Sequence, residues 1–271
     1  MNMNGAADRD WHIHTYYSDG TLSPKEVIRW AKDQGLHEIA ITDHDGVDGI
    51  PEAIEEGEKA GIRVIPGIEL STVMKDGTGL HILGYNIDWG NEHLLKGCEE
   101  MRRGRARRNK KLLEALAEEG FILGPEDIAE SEERGFIGKP NIARAMVGKG
   151  YISDVSQAFS GIFSTKKMRA IKKKKIGTFE AIRLIKKAGG KPVLAHPGLI
   201  RHMGQRDSEE FFQNIDELLG VLRRKGLEGL ECDYPEHTME EKELFIEMAA
   251  FHGLDITKGS DFHGDGHNLE Y

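Results

Sequence analysis

Apolar positions along this chain alternate between a helical period and a strand period. Val27, Ile28, Trp30 and Ala31 share one face of a helix that Ser23 caps, Pro24 starts and Gly35 ends. Glu26 stands three residues after Ser23, as a capping box requires. A short apolar run over 38–42 then has the pattern of a buried parallel strand. The same rhythm predicts a helix over 50–60 stopped by Gly61, a strand over 63–69 and another over 80–85. It resumes with a helix over 178–188, a strand over 191–195, a helix over 207–225, a strand over 227–232, a helix over 239–252 and a last strand from Asp255. Such alternation predicts an α/β fold, a parallel sheet or barrel with helices outside it. Folds of this kind keep their chemistry at the C-terminal ends of the strands.

Between the two halves the strand pattern disappears. Residues 94–119 form a long helical pattern crowded with Arg102, Arg103, Arg105, Arg107 and Arg108, and shorter helices are expected from Pro125, over 139–147 and over 155–163. A lysine-rich segment, Lys166 to Lys175, follows. The expectation is an all-helical insertion at 93–176 that divides a barrel made of residues 8–92 and 177–271.

Composition narrows the setting. The chain has 271 residues, 38% of them hydrophobic, and no apolar run approaches the ~20 residues of a membrane span. The opening Met1 to Ala7 has neither the basic nor the apolar stretch of a signal peptide, so none is expected. Cys98 and Cys232 are the only cysteines and lie far apart, which suits a reducing cytoplasm and excludes a disulfide scaffold. A net charge of −9 argues against a surface that coats nucleic acid all over. The cations are concentrated in the helical block.

Metal-ligand side chains recur where the strands end. His12 and His14 alternate about Ile13, so in a strand both imidazoles face one side. Asp19 follows in a turn, and His44, Glu69, His81, His196, Asp261 and His263 recur at later strand ends or loops. One such histidine is more often structural than a ligand; nine residues spread over successive units are harder to explain that way. His37, His93 and His252 fall outside the pattern. Nitrogen and oxygen donors without thiolate favour Mn, Fe or Zn over a structural zinc knot.

Five stretches carry a resemblance. Asp10-Trp11-His12-Ile13-His14-Thr15 with Ser18-Asp19-Gly20, Thr42-Asp43-His44-Asp45, Gly67-Ile68-Glu69, Ala195-His196-Pro197 and Gly259-Ser260-Asp261-Phe262-His263 resemble the successive motifs of the PHP (polymerase and histidinol phosphatase) family of metal-dependent phosphoesterases. The resemblance implies a distorted seven-stranded β/α barrel with three divalent metals, Mn first among the candidates, at the strand C-termini. It assigns His12, His14, Glu69 and Asp261 to one metal and Asp19, His44 and His263 to a second. Glu69, as a bridge, would join His81 and His196 on a third. The implied nucleophile is a metal-bridging water.

Within the family, Arg102 to Asn109, Lys139-Pro140-Asn141-Ile142-Ala143-Arg144-Ala145 and Gly189 to Gly198 resemble the branch that removes the 3′-phosphate of nucleoside 3′,5′-bisphosphates. Relatives in that branch degrade short RNA from the 5′ end. The resemblance makes a nucleotide, and short RNA, the expected partner, with no membrane and no obligate protein partner. Lys139 and Asn141 depart from the usual Arg and His, and Trp11 from an aliphatic residue. Arg105, Arg108, Lys139, Asn141 and Arg144 are the candidate substrate contacts, Arg105 and Arg108 for a non-reacting phosphate. His237 is the candidate proton donor or phosphate contact, and Asp43 and Asp45 are candidates to orient a ligand. The competing readings are a small-metabolite phosphatase, such as one for histidinol phosphate, and a non-catalytic nucleic-acid-binding module stabilised by metal.

Overall fold

The computed structural model describes residues 9–133 and 135–264. β1 (Arg9–Ile13), β2 (Glu38–Ile41) and β3 (Arg63–Val73) are parallel neighbours, joined by α1 (Pro24–Asp33) and α2 (Ile50–Ala60). The Ser23 capping box forms as its sequence predicts, with Glu26 N donating to Ser23 Oγ at 3.2 Å and Ser23 N to Glu26 Oε2 at 2.8 Å. After α3–α7, described below, the short β5 (Ile176–Gly177) pairs with the far end of β3. α8 (Thr178–Lys187), β6 (Lys191–Leu194), α9 (Glu209–Arg224), β7 (Gly229–Asp233), α10 (Met239–His252) and β8 (Asp255–Lys258) complete the alternation.

One strand runs the other way. β4 (Gly79–Tyr85) is antiparallel to both β3 and β6, so the sheet is mixed rather than wholly parallel. The cause is the link from Val73 to Gly79, a tight turn in which Met74 N donates to Thr78 O at 2.8 Å. A parallel crossover needs a dozen or more residues, and this link is far shorter. β3 also runs on to Val73, past the end its sequence suggests.

The sheet order is β1-β2-β3-β4-β6-β7-β8, and the chain beyond β8 returns to β1. There Phe262 N donates to His12 O at 3.1 Å and His14 N to Phe262 O at 2.8 Å. The sheet therefore curls on itself as a distorted β/α barrel. Its outer face carries Ile39, Ile41, Ile68, Leu70, Ile82, Leu194 and Leu230, packed against the helices in the main core. Its inner face carries Ala40, Ile65, Leu83, Tyr85, Val193 and Ala195, with Trp11 against them. Trp11 Nε1 donates to Glu38 Oε1 at 2.9 Å, so the departure at this position serves packing.

The central block is helical: α3 (Glu92–Glu118), α4 (Pro125–Glu133), α5 (Lys139–Gly148), α6 (Val155–Gln157), which widens into a π-helical turn over 158–162, and α7 (Lys166–Ala170). Leu112, Leu116, Ile142, Met146, Phe163 and Met168 give it a core of its own. α3 belongs to both cores, because Leu94, Cys98 and Met101 in its first half pack with the barrel's helices. No helix among the described residues is long and apolar enough to cross a membrane.

Candidate metal centre

The inward face of the barrel changes from apolar to ionisable as it rises. On β3, Ile65 and Glu69 share a face four residues apart; on β4, Tyr85, Leu83 and His81 do. Because β4 is antiparallel, His81 near its start pairs across to Ser71 and lies at the same end of the sheet as Glu69. On β7, Glu231 faces inward between Leu230 and Cys232, which face the outer core.

All nine candidate ligands converge at this end. Three groups have donor atoms close enough to share an ion: His12, His14, Glu69 and Asp261; His14, Asp19, His44 and His263; and His44, Glu69 and His81. His196 stands beside them, with Nε2 3.3 Å from Glu69 Oε1. His14 and His44 each belong to two groups, whereas the resemblance gives each to one.

The character of these contacts matters more than their number. His14 Nε2 lies 3.0 Å from Asp261 Oδ1, and His44 Nδ1 lies 2.8 Å from Glu69 Oε2. Yet His12 Nε2, His14 Nε2, His44 Nδ1 and Glu69 Oε2 are buried and make no hydrogen bond. Buried polar atoms are rarely left so, and several at one point ask for a partner that no side chain supplies. Lone pairs that converge on a common point suit a cation. The donor set therefore fits divalent metal ions.

Electrostatics agree. Glu69 and Asp261 are buried, which alone would raise their pKa, but the surrounding imidazoles hold both carboxyls well below the usual range. Burial opposes protonation of His14, and Asp261 and Glu69 override it to lift His14 to about 10. Excess negative charge here stabilises whatever cation sits among these groups. Asp45, His196 and Asp261 have φ of 55°, 27° and 55°, a left-handed strain common at functional sites.

A surrounding layer orients the donors. Glu231 Oε1 lies 2.9 Å from His12 Nδ1, and Glu231 Oε2 accepts from His196 N at 2.7 Å. Asp10 accepts from His12 N at 3.2 Å and from Ser260 Oγ at 2.5 Å. Asp10 opens the first motif but nothing there shows this role, and Glu231 belongs to no motif; the signal available for Glu231 was an acidic residue between the apolar Leu230 and Cys232. Gly259 leaves room for the pair, since a Cβ there would meet His12 Cβ at 2.3 Å and Glu231 Oε1 at 2.6 Å. Asp43 accepts from Thr15 N at 2.8 Å, Thr15 Oγ1 at 2.7 Å and Ser18 Oγ at 2.5 Å, and Ser18 Oγ is 3.3 Å from His14 Nδ1. It thus steadies the His14 loop rather than His44.

Asp45 and His237 have structural partners. Asp45 accepts from Ser71 N at 3.0 Å, from Lys173 Nζ at 2.5 Å and from Arg105, tying the barrel to the helical block. His237 is buried with Nδ1 3.0 Å from Cys232 O, while Nε2 accepts from Gly198 N at 3.1 Å. Both ring nitrogens are occupied, and burial lowers its pKa, so neither a phosphate contact nor a proton-donor role fits this conformation.

The other candidate cations also sort by partner. Arg105 pairs with Asp45 and stacks on Phe136 with its guanidinium 3.8 Å from the ring centre. Arg144 Nη2 donates to Asp19 O at 2.5 Å, bracing the loop of that ligand, and Asn141 Oδ1 accepts from Gly138 N at 2.8 Å as a helix cap. Arg108 is buried, its Nε makes no hydrogen bond, and no carboxylate pairs with it among the described residues. Burial and then Arg105 lower its pKa to about 10. Burial, then Arg108 and Arg169, lower Lys139 to about 8. The two cations thus lie near each other, and among the described residues neither is paired with a carboxylate.

Residues 10–233 match the PHP domain family. The chain is 31% identical to the 3′,5′-nucleoside bisphosphate phosphatase of Chromobacterium violaceum, over 96% of this chain and 88% of that one. It is 30% identical to a 5′-3′ exoribonuclease of Haemophilus influenzae, over 94% and 89% respectively. A solved structure described as a metal-dependent phosphoesterase from Bifidobacterium adolescentis superposes with a TM-score of 0.84 at 34% identity, covering 97% of this chain and 90% of that one.

Proposed function

The chain belongs to the PHP-domain family and is a metal-dependent phosphoesterase; we propose that it removes the 3′-phosphate of nucleoside 3′,5′-bisphosphates and also degrades short 5′-phosphorylated oligoribonucleotides. The observation that carries this substrate is Arg108, a buried guanidinium without a carboxylate, beside Lys139. A monophosphate such as histidinol phosphate needs recognition at one phosphate only. A second cationic site suits a substrate that brings a second phosphate. The likeness to the bisphosphate phosphatase and the exoribonuclease supports the same class.

Three ions would be held by His12, His14, Glu69 and Asp261, by Asp19, His44 and His263, and by Glu69, His81 and His196, with manganese the first choice for this nitrogen and oxygen set. Bound divalent metals supply Lewis-acid neutralisation of the phosphoryl oxygens and lower the pKa of water toward neutrality. The chain's own part is orientation. Glu231 fixes His12 with Nε2 turned to the site, and Asp43 through Ser18 fixes the His14 loop. Arg144 holds the Asp19 loop, and Arg108 with Lys139 grips the 5′-phosphate so that the 3′-phosphate lies on the acidic floor.

The test is turnover on a panel: adenosine 3′,5′-bisphosphate, 3′-AMP, histidinol phosphate and a 5′-phosphorylated RNA tetramer. The reading expects kcat/KM highest for the bisphosphate, and lower for 3′-AMP by about the 10- to 100-fold that one charge-assisted contact contributes. Equal rates on 3′-AMP, or preference for histidinol phosphate, overturn it.

A further inference from the structure

A cationic groove lies where the helical block meets the barrel, next to the segment that carries Lys173 to Asp45. It is an open groove of about 910 Å³ between α3, α8 and the extended segment that leads into β5. Its floor is Gly97 against Leu184, where a Cβ on Gly97 would come within 2.7 Å of Leu184 Cδ2, so glycine lets the two helices meet. Its walls carry Lys96, Arg107, Lys174, Lys175, Arg183 and Lys187. Among the described residues none of these six pairs with a carboxylate side chain. Seven Lys and Arg residues line the groove against two Glu, in a protein whose net charge is −9. So strong a local reversal of sign focuses a positive potential on one channel.

The lysine segment links the groove to the site. Along 172–175 the side chains alternate: Lys172 and Lys174 are exposed, Lys173 and Lys175 turn inward. Lys173 reaches Asp45 at 2.5 Å. Lys175 is lowered by burial, and the carboxylates of Asp45 and Glu69 are the charges that oppose that shift. The segment then joins the sheet where Ile176 pairs with Thr72, three residues beyond Glu69, or about 10 Å along a strand. That distance corresponds to about three nucleotides at a stacked rise of ~3.4 Å.

We propose that this groove binds the sugar–phosphate backbone of a single-stranded oligoribonucleotide, on the 3′ side of the phosphate undergoing hydrolysis. The inference rests on the phosphoesterase reading above and extends it from the terminal nucleotide to the strand that follows. No Phe, Tyr or Trp is among the lining residues and His93 is the one ring there, so recognition rests on charge rather than on a run of stacked bases, without sequence preference. A mononucleotide bisphosphate does not reach it. An oligomer of about four nucleotides or more does, and gains affinity from each phosphate it places there.

The test uses the full chain and the variant Lys96→Glu/Arg183→Glu/Lys187→Glu, three exposed groove positions remote from the metal ligands. Binding of a 5′-phosphorylated, phosphorothioate-linked RNA octamer, which keeps its charge and resists hydrolysis, is followed by anisotropy across a salt series. The variant is expected to bind at least about 10-fold more weakly, with a salt slope shallower by about 2, at ~0.7 per phosphate contact on a single strand. Its kcat/KM on adenosine 3′,5′-bisphosphate is expected to match the parent chain, while KM for an octamer substrate rises. Equal octamer affinity and an unchanged salt slope overturn the groove, whatever the activity. Loss of bisphosphate turnover in parallel with octamer binding overturns it as well. A parent chain that binds the octamer through these residues but hydrolyses no bisphosphate keeps the groove and refutes the substrate reading instead.

Discussion

Glu231 Oε1 lies 2.9 Å from Nδ1 of His12, both side chains fully buried, and the same carboxylate accepts the backbone N–H of His196 at 2.7 Å. One acid on β7 thus sets the tautomer of a residue on β1 and the position of another after β6. With Nδ1–H committed to Glu231, Nε2 presents its lone pair to the site.

Glu231→Gln keeps the shape and loses the charge that favours this tautomer. Its metal affinity is expected to fall about 10- to 100-fold, as for other partners of ligating histidines. Titration of the metal-depleted protein measures it, with circular dichroism showing an intact fold. Unchanged affinity would make Glu231 a packing residue only.

Asp45 is the electrostatic link between barrel and helical block, since it receives both Arg105 and Lys173. Asp45→Ala removes the buried carboxylate that Arg105 and Lys173 both face and is expected to cost about 3–5 kcal/mol in urea unfolding. Combining it with Arg105→Met removes one stranded charge and is expected to recover part of that loss, because the two sites are coupled. A strictly additive double mutant contradicts the link.

Arg108→Ala removes the cation assigned to the second phosphate. KM for adenosine 3′,5′-bisphosphate is expected to rise about 10- to 100-fold, the ~1.5–3 kcal/mol of a charged hydrogen bond. KM for 3′-AMP is expected to stay put. Equal effects on both substrates would place Arg108 in the fold rather than at the phosphate.

On the proposed phosphate contact, Lys139 is expected to give an alkaline limb. Burial lowers its pKa to about 8, so it is cationic below that pH and neutral above it. Phosphate affinity is therefore present at neutral pH and lost as pH rises through about 8. kcat/KM, which reports free-enzyme groups, is expected to bend down there, and Lys139→Arg to push the bend to higher pH. A bend that stays in the arginine variant belongs to another group.

Local signals explain why much of the architecture could be read from the chain. The capping box at Ser23, the stop at Gly61 and the alternation of His12 with His14 depend on near neighbours and appear in the structure as the pattern predicts. Direction was less legible. The turn after Val73 reverses β4, and only pairing with β3 and β6 shows that His81 arrives from a strand's beginning. The roles of Glu231, which belongs to no motif, and of Asp10, which opens the first one, stayed hidden because they lie in partners at sequence separations of 219 and 250 residues. The arginines of α3 are alike in sequence, yet Arg105 is neutralised by Asp45 while Arg108 is not. Within the lysine-rich segment, residues 172–175 divide by alternation into an inward pair and an outward pair.

Buried imidazoles and carboxylates that hold divalent cations are what phosphate hydrolysis by this protein requires. Phosphate release from adenosine 3′,5′-bisphosphate, measured on the same sample before chelation, after it and after adding Mn²⁺, tests that most directly. Activity is expected to be lost on chelation and restored by Mn²⁺ in the parent chain, with no restoration in Glu69→Ala, since Glu69 faces His12, His14, His44, His81 and His196. Turnover that survives chelation, or that Glu69→Ala retains at the parent rate, would contradict it.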